Sequence, residues 1–151
     1  MNAKDVSEHP CVGVKLLDRD HDCIEELFNE IRFREEVGLD DNRTKAMVRR
    51  LAQLVQVHFA LEEGMMSSTN YPGTAVHQLH HQWLMEQIET LTAQRGHKAH
   101  ARNAELLKSM IDAHLGHIRN DDLHYGKWLD TQVPRNNHGS SNCPPCGHKT
   151  I

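Results

Sequence analysis

His58-Phe-Ala-Leu-Glu62-Glu-Gly-Met-Met66, then a turn at Tyr71-Pro72-Gly73, then His77-Gln-Leu-His80-His81 is the stretch on which the reading of this chain depends. It holds two pairs of metal-capable side chains, His58/Glu62 and His77/His81, each four residues apart. Residues at i and i+4 lie about 40° apart around a helix, so each pair projects from one face and can converge on one ion. Upstream, Met47, Leu51 and Leu54/Val55 form an apolar stripe that runs directly into His58. Downstream, Leu84, Ile88 and Leu91 continue the line begun by His77 and His81. Both pairs therefore fall on the faces that should be buried.

The same periodicity extends to both sides. Leu17, Ile24, Leu27, Phe28 and Ile31 predict a first helix that carries His21 on its seam, with Asp18 as a candidate N-cap and Gly38 at its end. Asp40, Asp41 and Asn42 offer caps for the second helix, which Gly64 and the polar Ser67–Asn70 stretch should end. Pro72 or Thr74 opens the third and Gly96 closes it. Leu107, Met110, His114, His117, Tyr125 and Leu129 mark a fourth, with Pro134 beyond. No β-type alternation competes. The expectation is an all-α, up-down-up-down four-helix bundle over 15–132, with an N-terminal arm (1–14) and a flexible C-terminal tail (133–151) rich in Gly, Ser, Asn and Pro.

Bulk composition narrows the function. A chain of 151 residues with a net charge of −4 has no Lys/Arg stripe to neutralise phosphates, so no nucleic-acid partner is expected. Neither a leader segment nor a membrane-length apolar run is visible, and the expected location is the cytoplasm. Thirteen histidines are the strongest compositional clue. Burying imidazoles and carboxylates without partners costs a few kcal/mol each, and a metal ion removes that cost. A lone histidine on an apolar face is more often a hydrogen-bonded core residue. Two i,i+4 pairs, with His21 and His117 at matching depth on the other two helices, argue instead for a metal site. His21, His58, His77, His81, His117, Glu62 and one of Asp121 or Asp122 exceed the four ligands of a single zinc and suit two bridged ions. Imidazole with carboxylate fits iron, and also zinc, copper or manganese.

The set His21, His58-x-x-x-Glu62, Tyr71-Pro72, His77-x-x-x-His81 and His117-x-x-x-x-Asp122 with Tyr125 resembles the hemerythrins, in particular their bacterial single-domain form, over roughly residues 12–130. The cation-binding branch of that superfamily carries a second HxxxE where this chain has HxxxH and HxxxxD, so the chain looks like the oxygen-binding branch. The resemblance implies two iron ions with an oxo or hydroxo bridge. His77, His81 and His117 would hold one iron. His21 and His58 would hold the other and leave a position open to molecular oxygen, and Glu62 and Asp122 would bridge the two. Asp122 at i+5 from His117 lies about 140° away on an ideal helix, while Asp121 at i+4 faces the same side. The choice of Asp122 therefore requires a π-bulge after His117.

Two features depart from the family or exceed it. Where hemerythrins usually carry Trp and Leu before the last ligand histidine, this chain has Ala113 and His114. His114 is thus a candidate lining residue of the oxygen pocket, able to offer a hydrogen bond or proton. Alternatively it turns aside to a helix carbonyl. In the tail, Cys143-Pro-Pro-Cys146 with His138 and His148 could bind zinc, could act as a redox dithiol, or could be incidental. The leading functional expectation is a non-catalytic oxygen-binding protein for storage, delivery or buffering. The alternatives are a di-iron enzyme that removes peroxide or nitric oxide, and an oxygen or redox sensor.

Overall fold

Leu17, His21, Ile24, Phe28 and Ile31 all turn to one side of a helix spanning Lys15–Glu36 (α1), and that side is buried. A computed structural model describes residues 11–39, 42–93 and 100–132, without the side chains of 100–103. Three further helices follow in α2 (Asn42–Ser68), α3 (Thr74–Ala93) and α4 (His100–His117). A π-helical turn, Ile118–Asp122, then leads into α5 (Leu123–Gln132), which continues the fourth helix. No strand occurs among the described residues. Packing runs α1 on α2, α2 on α3, α3 on α4 and α4 back on α1, the closed ring of an up-down-up-down bundle.

The turns explain themselves at the level of single residues. Gly38 sits at φ +75°, and Leu39 N–H and Gly38 N–H donate to the carbonyls of Arg34 and Glu35. This double closure is a Schellman motif, and it needs a residue that tolerates the left-handed region. At the end of α2 the same closure recurs with Asn70 at φ 55°, as Tyr71 N–H reaches Met66 and Asn70 N–H reaches Ser67. Gly64 lies inside α2, so the helix outlasts the glycine expected to stop it. Asp18 is not the N-cap either: Val14 holds that position, and Asp18 reaches back from the first turn to accept from Val12 N–H at 2.7 Å. Gly126 admits that incoming segment closely, because a Cβ there would lie 2.0 Å from the Val12 carbonyl oxygen.

The core has two apolar parts. The larger contains Ile24, Phe28, Leu51, Phe59, Leu84, Ile88, Leu107 and Leu115 among others. The smaller contains Val12, Leu17, Met66, Tyr71 and Tyr125. On each chain segment the polar seam residues lie between them: His21 between Leu17 and Ile24, Glu62 between Phe59 and Met66, Asp122 between Leu115 and Tyr125. A polar layer thus crosses the bundle with apolar packing above and below.

Candidate metal centre

Within that layer, α2 supplies His58 and Glu62, α3 supplies His77 and His81, α1 supplies His21, and the α4–π junction supplies His117 and Asp122. All seven are at most 5% exposed. Two donor groups form. Glu62, His77, His81, His117 and Asp122 lie with one ligand atom each inside 4.8 Å of one another, and His21, His58 and Asp122 form a second such group. Asp122 belongs to both. Its Oδ1 is 2.9 Å from His117 Nε2 and 3.1 Å from His77 Nε2, while Oδ2 is 3.1 Å from His21 Nε2. Glu62 Oε2 is 3.2 Å from His81 Nε2 and 3.3 Å from His77 Nε2. Glu62 falls only in the larger group; Asp122 is the carboxylate held in common.

The π turn creates this arrangement. On a regular helix Asp121 and not Asp122 would face the side of His117. One extra residue in the turn lets consecutive aspartates address the two nitrogens of one ring: Asp122 at Nε2, and Asp121 Oδ2 at Nδ1, 2.8 Å away. π-turns are commonly found where a function requires such a departure.

The electrostatics are those of a cation site. The short N–O separations in the larger group do not have hydrogen-bond geometry: both oxygens of Glu62 and Asp122 and the Nε2 atoms of His77, His81 and His117 are buried without a hydrogen bond. Leaving that many groups so costs a few kcal/mol apiece, and a cation among them would satisfy them all. Neutral imidazole and carboxylate are also the donor types that iron accepts. The residues therefore fit the metal that the sequence suggested. Burial opposes charge on His77, but Asp122 and Glu62 outweigh it and raise its pKa to about 9. Burial, reinforced by His21, pushes His58 down to about 4. For Asp122, burial is outweighed by His117, His21 and His77, which hold its carboxyl well below the usual range.

Outer partners fix the imidazoles. His81 Nδ1 meets Glu63 Oε1 at 2.8 Å, and Gln78 Nε2 donates to the other oxygen of Glu63 at 3.2 Å. Carboxylates in this role set ring orientation and tautomer. Asp121, which holds His117, and Asp20, 3.6 Å from His58 Nδ1, were not anticipated. Asp121 was discoverable, since it stands four residues after His117.

His114 points into the core. It is 3% exposed, its Nε2 has no hydrogen bond, and its ring centroid lies 6.4 Å from that of His21, near Phe28 and Phe59. It thus stands on the His21/His58 side and outside both donor groups. Burial, then His21 and His58, lowers its pKa well below the ordinary value, so it is a neutral imidazole. The candidates Cys143, Cys146, His138 and His148 lie outside the described residues. No helix among those residues is long and apolar enough to cross a membrane. Residues 12–129 match the family described as the hemerythrin HHE cation-binding domain, whereas no curated protein and no solved structure gives a match.

Proposed function

The chain belongs to the hemerythrin family, and from that premise we propose that it binds molecular oxygen reversibly at a non-haem di-iron centre, as a cytoplasmic store, carrier or buffer of oxygen. His77, His81 and His117 would hold one iron and His21 and His58 the other, with carboxylate ligands from Asp122, which belongs to both donor groups, and from Glu62, which belongs to the larger one. The carrying observation is the inequality of two donor groups that share Asp122: three imidazoles on one side, two on the other. The poorer side is where a bound iron would have a coordination position free for oxygen. When bound, iron supplies two electrons and that position. The protein supplies the remainder. Phe28 packs beside His114 near the His21/His58 side, Phe59 lies between His58 and His81 and stacks on the latter, and Glu63 and Asp121 hold His81 and His117 in place by their outer nitrogens. Cycling the iron-loaded protein between argon and air tests the proposal. Oxygen should be taken up and released without accumulation of hydrogen peroxide; steady oxygen consumption would overturn it.

One observation favours a second reading. His114 brings a buried, neutral imidazole with an unbonded nitrogen to the oxygen-binding side. A group that donates or relays a proton there promotes loss of reduced oxygen and turns a binding site towards peroxide or nitric oxide removal. Turnover of peroxide with a reductant, abolished in His114→Leu, would establish that reading.

A further inference from the structure

From Gly64 to Met85 the chain contains no Asp, Glu, Lys or Arg, in a protein whose charged residues make up 25% of the whole. The first three turns of α3 fall in this interval. Val76, Leu79, His80 and Trp83 recur there at i, i+3, i+4 and i+7, a spacing that places all four on one face. That face is outward: Val76 and Leu79 are 61% exposed and Trp83 51%. Phe33, Val37 and Val57 are also exposed, but among the described residues it is the α3 stripe that is joined to the metal centre. His80, half exposed, meets Asp121 Oδ2 through Nδ1 at 2.9 Å, and the same oxygen lies 2.8 Å from His117 Nδ1. His117 Nε2 belongs to the larger donor group. A shallow cleft of about 200 Å³ beside Val76 reaches His77 and Asp121.

We infer that this stripe is the docking surface for a small one-electron carrier protein, with electrons entering through His80, Asp121 and His117. The inference rests on the di-iron reading above. Oxygen carriers lose function whenever the iron pair is left oxidised, and returning it to the ferrous state requires an outside reductant. Each encounter oxidises the carrier by one electron and reduces one ferric ion to ferrous. Two encounters restore the pair, with any accompanying proton taken from solvent. The occupant follows from the surface. An apolar stripe of Val76, Leu79 and Trp83 around one exposed imidazole, with the Asp121 carboxylate beside it, suits a carrier whose own redox group emerges through an apolar surface, in the small, transient interface of electron-transfer pairs. With no charge on the α3 stripe to steer it, such an association should depend little on salt.

Rubredoxin, a small one-electron carrier whose redox group is a thiolate-bound iron, is the probe. Stopped-flow reduction of the oxidised iron-loaded protein by reduced rubredoxin should slow about tenfold in Leu79→Glu and Trp83→Ala, as for loss of a central interface contact. Reduction by dithionite should be unchanged. In the zinc-loaded protein, zinc-substituted rubredoxin should shift the amide resonances of residues 76–83 in wild type and His80→Ala, but not in Leu79→Glu. His80→Ala should nevertheless be reduced more slowly by rubredoxin. Equal rubredoxin rates in wild type and Leu79→Glu, or shifts elsewhere on the molecule, would overturn the docking surface. An iron-loaded protein with no absorption that dithionite bleaches would remove the premise and the inference together.

Discussion

His77 carries the clearest titration signature of the centre. With its pKa raised to about 9 by Asp122 and Glu62 against the effect of burial, it is protonated at neutral pH in the metal-free protein. A metal can bind only the neutral ring. Loading at pH 7.5 should therefore release a proton from His77, and calorimetry in two buffers of different ionisation enthalpy should give different apparent heats. Identical heats would contradict the assignment. Stability of the metal-free protein should follow the same groups. The His77 contribution is fully present below about pH 6.5 and is lost as pH rises through 9. His58, pushed down to about 4, acts oppositely: its contribution is present above 6.5 and lost as pH falls towards 4. Denaturant midpoints should accordingly be highest near pH 6.5 and decline on both sides; a steady rise through pH 9 would not fit. His114 makes its own prediction. Replacing it with Leu should slow autoxidation of the oxygenated protein by ~10-fold or more, because the neutral ring can hydrogen-bond and relay a proton to reduced oxygen and leucine cannot. Equal rates would place the imidazole outside the reaction.

The π turn is the element that separates this site from an ordinary helix face. Because it delivers Asp122 to both donor groups and Asp121 to the outer nitrogen of His117, two neighbouring aspartates should behave differently. Asp122→Asn should reduce bound iron from two towards one per chain, whereas Asp121→Asn should keep two and bind them ~10–100-fold more weakly, as loss of an outer partner does. Metal analysis of the two variants decides it, and a reversed order would mean a regular helix. The four helices, their seams and six of the seven candidate ligands were legible in the sequence, because burial imposes the 3.6-residue period on polar and apolar seam residues alike; Asp122, off that period, came from the family resemblance. The need for the π turn was legible too, from the conflict between spacing and chemistry at Asp122. What escaped depends on contacts between distant segments. Asp18 binds Val12 because the entering chain folds back over α5 at Gly126. Gly64 is carried inside α2 because the helix is held on both sides of it by Phe59, Glu62 and Met66. Asp20 comes near His58 only once α1 and α2 pack.

At the scale of the molecule, a polar layer whose buried nitrogens and oxygens lack hydrogen bonds divides the core. Removing the metal should therefore lower the thermal midpoint by roughly 5–10 °C, since a ligand at a hundred times its Kd adds about 2.7 kcal/mol and a domain of this size moves about 2–4 °C per kcal/mol. Scanning calorimetry before and after chelation checks this, and an unchanged midpoint would mean that apolar packing alone holds the helices. The layer also has two directions: His114 packs with His21 and Phe28 in the apolar interior, while His117 leads outward through Asp121 to His80 on α3. Oxygen chemistry at one side and electron supply at the other would then be separable. The central claim is most directly tested by the optical spectrum of the anaerobically reduced, iron-loaded protein before and after exposure to air, then again under argon. Reversible oxygen binding at a di-iron centre predicts a near-colourless reduced form, visible iron charge-transfer bands in air, and their loss under argon without added reductant. Bands that persist under argon, or a protein that stays colourless in air, would contradict it.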